Sequence, residues 1–347
     1  MTARSEHPAV VAVLGAGSWG TAFAKIAADS GARRGTDVRL WARRPEVAQD
    51  INGRHRNTQY LKDTVLPENL RASTDLAEVL TGADLVVLAV PAQSLRAQLR
   101  DVAGLIPDDA VVVSLMKGLE RGTDARMSQV IAEELGMPAD RIAVVSGPNL
   151  AMEIARQEPT ASVVACTDLD TAGWIAEACT APYFRPYTNT DVVGTEIGGI
   201  VKNVIALAVG ICDGKKMGDN TKASVMTRGL AETTRLALAL GGSAETMSGL
   251  AGMGDLIATC SSPLSRNHTA GTLLAQGLSL AEVNASMTQT AEGIKSAQAV
   301  LDRATQLGVY MPITENVVAV LQGAITVDEL GPRLLARELK SEGVSAQ

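Results

Sequence analysis

A glycine-rich hexapeptide, two lysines, one aspartate and a Ser-Arg-Asn run are the residues whose types and settings point to chemistry. Gly15-Ala16-Gly17-Ser18-Trp19-Gly20 has the G-x-G-x-x-G spacing. It follows the apolar run Val10–Leu14 and opens a helical stretch at Thr21–Asp29. In that setting the pattern marks a dinucleotide site. Gly15 permits the tight turn, Gly17 lets backbone approach a pyrophosphate, and Gly20 lets helix and strand pack closely. The phosphates then rest on N–H groups at a helix N-terminus. About 20 residues on, an NAD site usually carries an acid for the ribose 2′-hydroxyl. This chain has Arg43-Arg44 there. Two guanidinium groups suit a 2′-phosphate and offer a hydroxyl no acceptor. They point to NADP(H), or to use of both NADP(H) and NAD(H), with Glu46 close enough to blunt the preference.

Lys117 follows the apolar run Val111–Leu115 directly, so a cation stands just beyond a buried strand. Ser146-Gly147-Pro148-Asn149 follows another, Ile142–Ser146. In open α/β sheets ligands bind beyond the carboxyl ends of strands. Farther on, Lys202 and Asn203 interrupt a run that is otherwise apolar from Ile197 to Cys212. A buried lysine is costly unless it is paired or used. Gly198 and Gly199 are poor helix formers and suggest that something approaches this helix closely. Asp255 and Thr259 are four residues apart, on one helical face. Ser265-Arg266-Asn267 precedes a helix expected near His268, and such a start is a good phosphate receptor. Each of these also has a plain structural reading: a solvated loop lysine, an N-cap, an ordinary capped helix start.

The elements that must position these residues fall into two halves. Six runs read as strands: Val10–Leu14, Val38–Ala42, Leu85–Val90, Val111–Leu115, Ile142–Ser146 and Thr160–Cys166. Most are continuously apolar, as suits strands covered on both faces. Helical stretches fall between them. After about Asp191 only helical patterns remain. The expected fold class is α/β, a Rossmann-type doubly wound parallel sheet followed by an all-α C-terminal domain. Residues 8–190 would form the dinucleotide-binding domain and 191–340 the helical substrate domain.

Composition narrows the function further. The chain has 347 residues, with 31 Lys and Arg against 38 Asp and Glu, hence a net charge of −7. That balance argues against a general nucleic-acid binder. Aromatic residues are only 3%, too few for base-stacking platforms. Three histidines and four cysteines without a CxxC pair give no metal-site spacing. Residues 1–9 lack the apolar core of a signal peptide, so the cysteines read as free thiols of a cytoplasmic protein. The run Ile197–Cys212 is too short for a membrane span and reads as a buried helix.

In order and spacing, these motifs resemble one family. GAGSWGTAFA (15–24), LWARRPE (40–46), MKGLE (116–120) and SGPNLAMEI (146–154) carry the first half of the resemblance. GGIVKNVIALAVG (198–210), GDNTKASVMTRGLAE (218–232), GMGDLIATC (252–260), SRN (265–267) and EG (292–293) carry the second. Together they resemble the bacterial NAD(P)-dependent glycerol-3-phosphate dehydrogenases from about residue 9 to about residue 338. The resemblance implies that Ser18, Trp19, Arg43, Arg44, Ala151, Thr290 and Glu292 contact the cofactor. It implies that Lys117 touches cofactor and substrate, and that Gly147, Asn149 and Asn203 line the substrate site. Lys202 matches the family's proton-transfer residue. Asp255, Ser265, Arg266 and Asn267 would hold glycerol phosphate, with Arg266 also near the cofactor. The family commonly has Ser or Thr where this chain has Asn149. A homodimer supplying sn-glycerol 3-phosphate for phospholipid synthesis is also implied.

These readings converge on hydride transfer, with Lys202 as general acid, Lys117 steadying the developing oxyanion, and Arg266 holding the phosphate. A hydroxyacid- or phosphogluconate-type dehydrogenase is the competing enzyme, and it would not need the Ser-Arg-Asn helix start. A dinucleotide sensor is the competing non-enzyme, and it would need neither lysine.

Overall fold

The structure is a computed structural model and describes residues 5–287 and 291–336. It divides into two compact units, Met1–Met116 with Arg126–Val192, and Lys117–Ala125 with Val193–Gln347. The short segment that starts at Lys117 therefore groups with the helical half and not with the strands that flank it in sequence.

The first unit is an eight-stranded sheet of β1 (Val10–Leu14), β2 (Asp37–Trp41), β3 (Leu70–Ser73), β4 (Leu85–Leu88), β5 (Val111–Ser114), β6 (Ile142–Ser146), β7 (Thr160–Cys166) and β8 (Phe184–Asn189). Their order is β3-β2-β1-β4-β5-β6-β7-β8. The register is continuous across the centre, where Val13 lies opposite Leu40 on one side and Val87 on the other. Every residue of β4, β5 and β6 is buried, because helices cover both faces. Both phenylalanines of the chain, Phe23 and Phe184, are fully buried in this core.

The sheet is doubly wound and parallel, as expected, at every pair but one. β6 and β7 pair antiparallel, Val145 opposite Val164. Two strands also went unread, β3 (LRAS) and β8 (FRPYTN). They are the two edges of the sheet. An edge strand has one neighbour and an open side, so it is not held to a continuous apolar run. β8 tolerates Pro186 for the same reason.

The second unit is built round helix α2 (Val192–Gly214), with α1 (Ser18–Gly31) lying earlier, in the first unit. α2 has 23 residues, longer than its apolar run suggested and long enough by length and composition to cross a membrane. It is instead a core helix, since 89% of its most apolar window is buried inside the protein. All twelve positions from 201 to 212 are buried, so it has no solvent face. Around it lie α3 (Asp219–Ala239), α4 (Asp255–Ser261), α5 (Arg266–Ala275), α6 (Glu292–Gln306) and α7 (Pro312–Leu321). α5 starts two residues before the expected position, because the Ser265 side chain is its N-cap and accepts from His268 N at 3.3 Å.

One buried carboxylate ties two of these helices together. Glu232 on α3 accepts from Ile313 N at 2.6 Å, Thr314 N at 3.2 Å and the Thr314 hydroxyl at 3.2 Å. It thereby satisfies N–H groups that the first turn of α7 cannot pair internally. Burial pushes the Glu232 carboxyl up to about 7, against the pull of these hydrogen bonds. The folded protein thus holds this proton more tightly than the unfolded chain does. Stability contributed by the protonated form is present at low pH and declines as pH rises from the ordinary glutamate value towards 7. We expect Glu232→Gln to flatten the fall in stability over that range. Glu232→Ala strands the donors and should cost on the order of 3 kcal/mol; denaturant unfolding of both variants between pH 5 and pH 7.5 checks this.

Candidate active site

In the first unit, the glycine loop crosses from β1 into α1. Gly15 has φ +124°, and a Cβ there would stand 2.4 Å from the Ala89 carbonyl oxygen. At Gly20 a Cβ would lie 2.0 Å from the Gly15 oxygen and 2.8 Å from Ala89 Cβ. Neither position admits a side chain. Gly17 differs: a Cβ there would meet nothing within 4 Å, so the space in front of the loop is open. Gly17 is the N-cap of α1, and the first turn carries no acidic residue. The arrangement is a loop that packs tightly behind and presents bare backbone in front, at the positive end of a helix. Trp19, edge-on to Phe23 at 5.8 Å, keeps its buried Nε1 without a hydrogen-bond partner. These residues fit a dinucleotide pyrophosphate.

Arg43 and Arg44 follow β2 and have separate fates. Arg44 lies 3.6 Å from Glu46, donates to Gln59 and sits 5.8 Å over the Tyr60 ring. Arg43 is exposed and has no partner among the described residues.

At the carboxyl end of β6 the chain turns through Gly147, φ +137°, where a Cβ would press on Ser162 at 3.2 Å. Here the Ser146 hydroxyl and both amide atoms of Asn149 are buried without partners. Buried polar atoms are normally paired, so three orphans on one strand end are what a bound polar ligand satisfies. Ala151 opens the short helix that follows and packs on the core.

In the second unit, α2 carries Lys202 into the interior, 8% exposed. Its Nζ donates to Asp255 Oδ1 at 2.5 Å and to the Thr259 hydroxyl at 2.6 Å. Lys117 Nζ donates to the other oxygen, Asp255 Oδ2, at 2.6 Å. One carboxylate thus holds two ammonium groups. Burial lowers the Lys202 pKa to about 8, opposed by the Asp255 charge and helped by Lys117. A lysine near that value exchanges protons at neutral pH, as an acid–base group must.

Beside it runs a second polar chain. Asn267 Nδ2 donates to Asn203 Oδ1 at 2.9 Å, and Asn267 Oδ1 accepts from Gly293 N at 2.8 Å. Asn267 therefore ties α2 to the start of α6, and Ser265 is occupied in capping α5. Arg266 opens α5 at an exposed position. Crowding by protein around its guanidinium lowers its pKa, and Glu292 at the start of α6 opposes that shift. Burial likewise raises the Glu292 pKa, with Arg266 opposing. Thr290 lies outside the described residues.

One feature of the site carries no motif of its own in the sequence. Leu250–Gly254 is a π turn, closed by Gly254 N to Gly249 O at 3.1 Å, and it leads straight into Asp255. Such turns are rare and frequent at functional sites. Three glycines within six residues, Gly249, Gly252 and Gly254, were the available signal.

The sequence model of the NAD-dependent glycerol-3-phosphate dehydrogenase N-terminus matches residues 10–172, and that of the C-terminus matches residues 191–331. The chain belongs to the NAD-dependent glycerol-3-phosphate dehydrogenase family. It is 58% identical over 336 residues to a glycerol-3-phosphate dehydrogenase [NAD(P)+] of Streptomyces griseus, covering 97% of this chain and 99% of that one. A Thermobifida fusca relative of the same name is 55% identical, covering 96% and 98%. Among solved structures, the glycerol-3-phosphate dehydrogenase of Coxiella burnetii superposes with a TM-score of 0.89 at 35% identity, covering 96% of this chain and all of that one.

For this family member the electrostatics give a direct expectation. Asp255 is the charge that holds the Lys202 proton against desolvation. Asp255→Asn removes it and leaves Lys117 facing Lys202. The Lys202 midpoint should fall below about 8, read as the pH titration of its isotope-labelled ε-carbon by NMR. An unchanged or raised midpoint contradicts the assignment.

Proposed function

We propose that the chain reduces dihydroxyacetone phosphate reversibly to sn-glycerol 3-phosphate, with Lys202 as the proton donor. The observation that carries this reading is the buried Lys202–Asp255–Lys117 arrangement in a member of this family. When bound, the nicotinamide dinucleotide supplies the hydride. Gly15, Gly17, Ser18, Trp19 and Gly20 would hold its pyrophosphate, Arg43 with Arg44 its adenosine end, and Ala151, Arg266 and Glu292 the remainder. Lys202 holds a proton at Nζ and gives it to the carbonyl oxygen as that oxygen gains charge. In the reverse direction the neutral amine takes it back. Lys117 adds a second cation for the oxyanion, and Asp255 keeps both ammonium groups in register. Gly147, Asn149 and Asn203 line the substrate. Arg266, at the start of α5, anchors the phosphate with Ser265 and Asn267 behind it. Both of those residues also have structural partners, which makes them fixed points and not mobile contacts. Binding energy at the remote phosphate orients the carbonyl. Domain limits at 8–190 and 191–340, a homodimer and a cytoplasmic setting complete the proposal. The close matches to bacterial relatives over nearly their whole length support the reaction itself.

The test is oxidation of NADPH and NADH with dihydroxyacetone phosphate. Lys202→Ala should lose about 10²–10⁴-fold in kcat. Arg266→Ala should lose roughly 10- to 150-fold in kcat/KM, equivalent to a charge-assisted hydrogen bond of about 1.5–3 kcal/mol. It should lose little on dihydroxyacetone, which lacks the phosphate. Equal harm to both substrates would assign Arg266 to the cofactor or the fold.

The cofactor end is tested separately. Arg44 is engaged by Glu46 and Gln59, so Arg43 is the readier partner for a 2′-phosphate. Arg43→Ala should raise the KM for NADPH about tenfold or more and that for NADH far less. Equal effects on the two cofactors would contradict this.

A further inference from the structure

Two pairs of residues join α2 to the π turn and to the helix it starts. Gly198 faces Ala251, and Lys202 faces Asp255. Each pair is four residues from the other on both segments, one helical turn apart and on one face. At the first pair the backbones touch. A Cβ on Gly198 would stand 2.4 Å from the Ala251 carbonyl oxygen, 3.1 Å from its carbon and 3.4 Å from Gly252 Cα. These are backbone atoms and cannot swing aside. The turn is also tight within its own segment. A Cβ at Gly252 would meet the Met247 oxygen at 2.2 Å and Met247 Cα at 2.5 Å. The turn therefore packs on α2 and on the short helix Ala244–Ser248 as one body, and a push at Ala251 moves it together with Asp255.

We propose that Gly198 is a positioning residue, which seats the π turn on α2 at the one separation that lets Asp255 reach Lys202. This rests on the acid–base role of Lys202 given above. An ordinary contact begins at 3.4 Å, so a methyl group at 198 must push the Ala251 carbonyl away by about 1 Å. The same displacement, carried one turn along, opens the 2.5 Å Lys202–Asp255 hydrogen bond beyond charge-assisted length. The groups that face Lys202 are Asp255, Thr259 and Cys260 from α4, and Lys117 from the 117–125 segment. Of these only Asp255 has a full opposite charge at neutral pH, since burial pushes the Cys260 thiol up to about 12. Withdrawal of Asp255 therefore destabilises the ammonium. Gly210 provides an internal comparison. It lies on the same helix, and a Cβ there would stand 2.1 Å from the His268 oxygen, a contact as tight but with α5 and away from the ion pair.

The experiment compares Gly198→Ala, Gly210→Ala, Gly252→Ala and Lys202→Ala in the full-length enzyme, in sucrose, which favours the compact state. Two readouts are taken: the ε-carbon titration of Lys202 and the pH profile of dihydroxyacetone phosphate reduction. Gly198→Ala should lower the Lys202 midpoint and the basic limb together, by about one pH unit. It should lower kcat about threefold at pH 7.5, as a fall of the protonated fraction with that midpoint requires, with the KM for NADPH within twofold of wild type. Gly198→Ala/Asp255→Asn should show no further shift beyond Asp255→Asn alone, because the two act on one interaction. Gly252→Ala wedges the same turn from its other side and should shift the limb as well, so either folded variant suffices. Gly210→Ala should lose stability and keep the wild-type limb. If folded Gly198→Ala or Gly252→Ala keeps the wild-type midpoint and kcat while Lys202→Ala is inactive, the positioning role is overturned alone. If Lys202→Ala remains active, the acid–base reading itself falls.

Discussion

An ammonium group in the middle of a helix that touches protein on every side loses its hydration and must be met by an anion. Lys202 is that group, and Asp255 meets it. Much of the second unit follows from this requirement. Asp255 cannot come from α2 itself, so another segment must lie close enough to place a short side chain within hydrogen-bond reach. The π turn Leu250–Gly254 and α4 are that segment. The second carboxylate oxygen then has a lone pair to satisfy, and Lys117 fills it from a stretch that begins just after β5. The short piece 117–125 accordingly belongs to the helical unit although strands flank it in sequence.

Close approach recurs all along α2, and glycine makes it possible each time. Gly198 meets the Ala251 carbonyl, Gly210 meets that of His268, Gly271 meets that of Leu207, and Gly293 meets that of Asn203. The three segments so seated each carry candidate site residues: Asp255, then Arg266 with Asn267, then Glu292. Backbone-to-backbone contact leaves no side-chain rotamer to absorb an error, so positions are set within tenths of an ångström. The Asn203–Asn267–Gly293 chain adds direction to these contacts by pairing both amide atoms of Asn267. A buried hydrogen-bonded chain of this kind rigidifies its surroundings.

The first unit follows a different rule. Its loop and strand ends leave polar groups unpaired: Trp19 Nε1, the Ser146 hydroxyl and the Asn149 amide are all buried without partners. Such atoms weaken the protein alone, and a polar ligand is what could satisfy them. The second unit also leaves the Thr195 and Ser296 hydroxyls buried without partners, but around Lys202 it uses its polar atoms to hold charged groups still.

The glycine loop, the six inner strands and the long apolar helix were legible in the sequence because each is encoded locally. The loop needs three glycines at fixed spacing, and a doubly covered strand needs an unbroken apolar run. The edge strands β3 and β8 were not legible, since an open edge relaxes that requirement. The antiparallel β6–β7 pair was also hidden, because an apolar run carries no direction. Lys202 and Asp255 could each be singled out, one as a charge in an apolar helix and the other at a helix start. That they meet at 2.5 Å, that Lys117 shares the same carboxylate and that Asn267 bridges two helices are tertiary facts. Residue types and periodicity determine what each segment must bury. Which segments then share that burial, and at what distance, depends on backbone contacts between residues 53 to 138 positions apart, and no local pattern records those.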